Sequence, residues 1–112
     1  MSPSETESKM AASELLALIK AGAAPTIIDV RSRREFRDGH VPGAKLIPFW
    51  KLLTGSPEIP AAAADSIIVY CAYGGRAHLA ALALRRRGFQ NVTYLRGHMA
   101  EWIRSKFPQE KV

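Results

Sequence analysis

The sequence predicts an α/β domain with helices on both faces of a mostly parallel sheet. Three observations carry that expectation. Ile67-Ile68-Val69-Tyr70 is a continuous apolar run without alternation, the pattern of a strand buried on both faces of a parallel sheet. A helix over 76–87 follows, with Ala77, Ala80, Ala81 and Leu84 on one face at i, i+3, i+4, i+7 spacing. Asn91-Val92-Thr93-Tyr94-Leu95 then reads as another strand. Strand, helix and strand within about thirty residues make a βαβ unit, whose strands are parallel and whose crossover is right-handed.

The remaining elements fall in order along the chain. Residues 1–9 are polar and partly acidic and read as a disordered or weakly ordered tail, leaving 10–112 as the domain. Residues 13–20 read as a short helix, with Ser13 as N-cap and Gly22 past its end. The β-branched run over 26–30 reads as a strand. Residues 32–37 suit a short helix closed by Asp38-Gly39. Val41-Pro42-Gly43 is a turn, 45–47 a brief strand, 49–53 a helical turn and 55–60 a surface loop. Arg85, Arg86 and Arg87 complement the macrodipole in the last turn of their helix, and Gly88 is its natural C′ residue. Residues 99–104 form a final amphipathic helix.

Composition narrows the function classes. A chain of 112 residues is one domain's worth, with no room for a second core. No apolar run approaches the roughly 20 residues of a membrane helix, and the first residues have neither the basic nor the apolar part of a secretory signal. A single cysteine rules out an internal disulfide, a Cys-pair metal site and a dithiol redox cycle. A usable lone thiol fits a reducing compartment, so a cytoplasmic location is expected. The net charge of +6 suits solubility or the attraction of anions. Its densest spots, Arg31, Arg33, Arg34 and Arg37 and the run 85–87, are not interleaved with aromatics, so nucleic-acid binding is not indicated.

The chemistry points to Cys71. Ligands of open parallel sheets bind beyond the C-terminal ends of the strands, and Cys71 ends the predicted central strand. Gly74 and Gly75 let successive backbone N–H groups turn inward as an anion-binding nest. The unpaired N–H groups of the following helix point the same way, so the thiolate form is favoured there. The competing reading is a small buried hydrophobe, which is what free cysteines commonly are.

At this point the residues resemble the rhodanese family. Cys71-Ala72-Tyr73-Gly74-Gly75-Arg76 is similar to the family's Cys-x-x-Gly-x-Arg active-site loop. Ile27-Ile28-Asp29-Val30-Arg31, with Glu35-Phe36 after it, resembles the Asp-Val-Arg…Glu-Phe stretch. Gly39-His40-Val41-Pro42-Gly43-Ala44 resembles Gly-His-Ile-Pro-Gly-Ala, and the segment from Leu95 to Trp102 resembles the closing Leu-x-Gly-Gly…Trp. The departures are Tyr73 and Ala77, where many members carry Ser, and His98, where they carry a second Gly. They bear on substrate preference and not on the cysteine's role. The family's first strand would have to be Lys9-Met10-Ala11, a poor strand sequence.

The resemblance implies a rhodanese-like three-layer fold with about five strands. It also implies a sulfurtransferase that needs no cofactor or metal. Cys71 would take sulfane sulfur from a small anionic donor such as thiosulfate. Backbone N–H groups of Ala72, Tyr73, Gly74, Gly75 and Arg76 would hold the resulting persulfide. Cyanide, a thiol or a protein acceptor would then receive the sulfur, by covalent two-step catalysis in a monomer or homodimer. Protein-to-protein relay and a non-catalytic binding module are the alternatives on the same fold. Cysteine phosphatase or arsenate reductase chemistry is the alternative on similar parts. It uses Cys-x5-Arg, whereas the spacing here is Cys-x4-Arg, a tighter ring.

Asp29 and Arg31 are the expected supporting residues. Asp29 lies between apolar neighbours and needs a partner. Arg76 is one candidate, and capping of the next helix is another. His40 reads as structural against a general-base role, and His78 as a surface residue. Trp102, Phe36 and Trp50 read as core or rim packing. Tyr73 is expected at the mouth of the pocket.

Overall fold

Tyr70 and the three residues before it are buried, although nothing polar alternates with them. The reason is the place of their strand. A computed structural model describes residues 9–112. Its elements are β1 (Lys9–Met10), α1 (Ala12–Lys20), β2 (Thr26–Asp29), α2 (Arg33–Asp38), β3 (Lys45–Leu46), α3 (Phe49–Thr54), β4 (Ser66–Tyr70), α4 (Gly75–Arg86), β5 (Asn91–Leu95) and α5 (His98–Arg104). The sheet order is β1-β5-β4-β2-β3, with every pair parallel. β4 is therefore central, and the α/β fold expected from the sequence is the fold observed.

Strand side chains alternate between faces, and here both faces are covered. Ile28, Val30, Ile67, Val69, Val92 and Tyr94 pack with Leu52 of α3 and with Ala77, Ala80, Ala81 and Leu84 of α4. Ile27, Ile68, Tyr70 and Leu95 pack on the other side with Ala12 and Leu15 of α1 and with Met99 and Trp102 of α5. The small residues along α4 let it lie close to the sheet. That closeness fixes where the loop before it must run.

Several local expectations are corrected. The tail reading of residues 1–8 lies outside the described residues. Lys9, assigned to that tail, is in β1, aligned with Tyr94. α1 starts at Ala12 with Ala11 at its N-cap and no side-chain cap, so Ser13 is inside the first turn. Burial of Ala12 and Leu15 against the sheet sets that start, overriding the capping preference of serine. Ser32 is a true N-cap: its Oγ accepts from Glu35 N–H while Glu35 Oε1 accepts from Ser32 N–H, a complete capping box. Asp29 therefore does not cap α2.

His40 is buried, stacks on Phe36 and donates from Nδ1 to the Phe36 carbonyl at 2.7 Å. Its main chain pairs in both directions with Glu110, which accounts for it structurally. Trp102 is fully buried and Trp50 is exposed, so only the first is core.

Candidate functional site

Cys71 follows directly on β4 and is 1% exposed. Its side chain continues the row of Ile67 and Val69 in the same apolar cluster. The chain then turns through Ala72, Tyr73 and Gly74 into α4. Gly74 N–H donates to Cys71 Sγ at 2.9 Å. That aim requires φ +130° at Gly74, a conformation that side chains with a Cβ rarely adopt. Gly74 is also the N-cap of α4 and supplies no side-chain cap, so the first-turn amides of the helix are not occupied by one. Tyr73 is 86% exposed.

The start of α5 holds this loop from the other side. Cys71 N–H donates to His98 Nδ1 at 3.2 Å, and the Cys71 carbonyl accepts from Met99 N–H at 2.9 Å. The Ala72 carbonyl accepts from Ala100 N–H at 3.1 Å. Both main-chain polar groups of the cysteine are thus tied to consecutive residues of one helix.

The expected Asp29–Arg76 pair does not form. Arg31 is two residues from Asp29 and reaches it first, with Nε at 3.0 and 3.1 Å from the two carboxylate oxygens and Nη2 at 2.8 Å. Arg31 N–H also donates to Asp29 Oδ1, and Arg31 Nη2 donates to the Gly39 carbonyl. Tyr70 Oη donates to Asp29 Oδ2 at 2.8 Å and accepts from Val41 N–H. Asp29 is completely buried, and this network satisfies it. Arg76 turns instead toward α2 and grips Glu35, Nη1 to Oε1 at 2.6 Å and Nη2 to Oε2 at 3.0 Å.

The electrostatics follow from these contacts. The hydrogen bond from Arg76 pulls the Glu35 carboxyl down to about 2, against the opposing effect of burial. The same bond raises the Arg76 guanidinium above its ordinary value. Burial works against the charge of Arg31, but the hydrogen bonds and charge of Asp29 outweigh it, and the net direction is upward. Burial, with the Asp29 charge behind it, pushes the Tyr70 phenol up. Burial and the positive charge of Lys9 hold the His98 imidazole below its usual range.

Among the described residues, no group of three or more His, Cys, Asp or Glu side chains is placed to hold a metal ion. No helix there is long and apolar enough to cross a membrane. Sequence reasoning expected Asp29 and Arg31 as supporting residues of Cys71 and its loop; in the structure the two pair with each other and with Tyr70, the residue before Cys71. It missed Tyr70 in the Asp29 network and Glu35 as the partner of Arg76. It also missed His98 as the acceptor for Cys71. For Glu35 a signal existed, since Ser32 and Glu35 have capping-box spacing, but that motif accounts for only one of its two jobs.

The chain is similar to several known proteins. A sulfurtransferase of Allochromatium vinosum is 29% identical over 82 residues, covering 73% of this chain and 75% of that protein. YrkF of Bacillus subtilis, named as a candidate sulfur carrier, is 30% identical over 68% of this chain. The chain spans only 40% of YrkF, and 24% of the MoeZ protein of Mycobacterium tuberculosis, so it corresponds to one region of those longer proteins. The human single-domain sulfurtransferase TSTD1 superposes with a TM-score of 0.73 at 27% identity, covering 86% of this chain and 95% of the other. A Rhodopseudomonas palustris protein described as a candidate tyrosine phosphatase superposes at 0.77 with 29% identity, covering 96% and 87%. The family model for the rhodanese-like domain matches residues 11–105, from the start of α1 through the end of α5, and the chain belongs to that family.

Proposed function

We propose that this chain is a sulfurtransferase that carries sulfane sulfur on Cys71. The observation that carries the reading is the Gly74 N–H directed at Cys71 Sγ, in a loop that opens onto the uncapped first turn of α4. A donor aimed at sulfur stabilises negative charge there before and after transfer. With thiosulfate as donor, the Cys71 thiolate attacks the outer sulfur, a new S–S bond forms and sulfite leaves with the electron pair. The product is Cys71–S–S⁻. Cyanide or a thiolate then attacks the terminal sulfur, the S–S bond breaks and the Cys71 thiolate is restored. Charge and sulfur balance in both steps, and no outside oxidant or reductant is needed. The names of the A. vinosum relative and the human structural neighbour support the class of reaction.

A protein acceptor is the second reading, favoured by the sulfur-carrier name of YrkF and by the exposed Tyr73 beside a buried sulfur. Phosphatase chemistry is disfavoured. Arg76, the residue that would hold phosphoryl oxygens, has both terminal nitrogens committed to Glu35. Incubation with thiosulfate should add the mass of one sulfur atom to the intact protein, and cyanide should remove it as thiocyanate. A protein that gains no sulfur from thiosulfate or from a persulfide donor, but hydrolyses an aryl phosphate, would overturn the reading.

A further inference from the structure

His98 is the least expected residue at the site. Its backbone has φ 54°, in the left-handed region that glycine enters freely and few other residues adopt. The residue before it, Gly97, is also left-handed, at φ 74°. Such a conformation at a non-glycine residue persists where the surrounding contacts fix it. Here they involve the side chain. Nδ1 accepts from the buried Cys71 N–H, which lies beyond the last sheet partner of β4. The far side of the ring lies beneath Gly74, where an added Cβ would stand 3.1 Å from His98 Nε2. The Tyr94 ring meets the imidazole edge-on, with centroids 6.4 Å apart. One imidazole therefore spans the residue that carries the sulfur and the residue whose N–H is aimed at it.

We propose that His98 is a positioning residue, whose imidazole sets Cys71 Sγ against the Gly74 N–H by accepting from Cys71 N–H and bracing the underside of Gly74. This rests on the reading of Cys71 as the sulfur carrier. An N–H can donate only to an unprotonated ring nitrogen, so Nδ1 is bare and the neutral ring has its proton on Nε2. The hydrogen bond of His98 is to the main chain of the cysteine. It acts through the loop, and its effect falls on the rate of transfer more than on donor binding.

The test compares His98→Gly and His98→Asn with the parent. Glycine suits the backbone and removes the acceptor. Asparagine tolerates the left-handed conformation and offers an oxygen near the position of Nδ1. Persulfide formation from thiosulfate is followed by quenched mass spectrometry. Exchange of the Cys71 amide proton is followed by NMR. His98→Gly is expected to lower kcat by about tenfold or more with little change in KM, as misplacement of a reacting atom does. It should also speed exchange of the Cys71 amide. His98→Asn should recover most of the rate and the amide protection.

Parental kcat in His98→Gly would overturn the proposal, as would an Asn variant as slow as the Gly variant. If His98→Gly does not fold, an Asn variant slower than the parent by about tenfold or more overturns the proposal. Failure of the parent to take up sulfur would instead sink the reading of Cys71. Amide protection lost in Gly and regained in Asn would still report the hydrogen bond.

Discussion

Arg76 and Glu35 meet fork to fork across the gap between α4 and α2, at 2.6 and 3.0 Å. The pair connects the first turn after the cysteine loop to a helix that the same glutamate caps. Glu35→Ala should therefore do two kinds of damage, while Ser32→Ala removes only the cap. The cap alone is worth about 0.5–2 kcal/mol, and both variants should lose stability on that scale. Only Glu35→Ala frees Arg76, so only it should also slow sulfur transfer. Equal transfer rates in the two variants would show that the clamp does not bear on the loop.

Asp29 gives a larger effect on stability. Its carboxylate is fully buried and receives Arg31 and Tyr70. Asp29→Ala strands a buried guanidinium, and breaking such a pair from one side costs about 3–5 kcal/mol. Tyr70→Phe should cost less, about 1–3 kcal/mol, by depriving Val41 N–H of its acceptor and Asp29 of one donor. Denaturant unfolding of both variants checks the order. An Asp29→Ala protein as stable as the parent would mean that the network is not present in solution.

Two groups contribute to the acid dependence of stability, and both signs agree. The Glu35 carboxyl is held at about 2, below its ordinary 4.5. The folded state therefore binds fewer protons, and this stabilisation is intact above about 4.5 and is lost as pH falls toward 2. Glu35 is about one-third exposed, so solvent screening leaves the effect nearer ~1 kcal/mol than the full shift implies. The His98 imidazole is also held below its ordinary value, 6.5, by burial and by Lys9. The folded state favours the neutral ring, so this contribution is intact above 6.5 and declines as pH falls through the lower folded value. Lys9 from β1 and Tyr94 from β5 are ionisable groups that face that ring. Melting temperature against pH should show a first decline below 6.5 that His98→Asn removes, and a second below 4.5 that Glu35→Gln removes.

These predictions draw unequally on the sequence and on the coordinates. The run from Ile67 to Tyr70 and the small-residue face of α4 were legible because periodicity and burial agree there, and together they locate Cys71. The partners of the charges were not legible. Asp29 had two arginines available, and only side-chain direction decides that the neighbour Arg31 takes it and leaves Arg76 for α2. The role of His98 was hidden differently. Its contact with Cys71 joins residues 27 apart in sequence through the crossover of α4, and no local pattern encodes that distance. The short edge strand β1 was equally faint, because two residues carry no period and its order comes from pairing with β5.

The decisive prediction concerns Cys71. Cys71→Ser should abolish sulfur transfer and leave the fold intact, since the hydroxyl keeps the shape and can accept from Gly74 N–H. A serine hydroxyl is not ionised near pH 7 and needs a paired base to become a nucleophile. The His98 imidazole is joined through Nδ1 to the backbone N–H of the cysteine. The sequence holds no second cysteine, so activity should fall to background. Burial makes access part of the same test, because a residue 1% exposed reacts only if the loop from Ala72 to Gly75 admits the reagent. Iodoacetamide should label the folded parent, thiosulfate loading should move the label to the terminal sulfur of the persulfide, where a thiol reductant removes it, and the Ser variant should not label. A folded parent that resists labelling until denaturant is added, or a Ser variant that still produces thiocyanate, would return Cys71 to the role of a small core residue beside Ile67 and Val69.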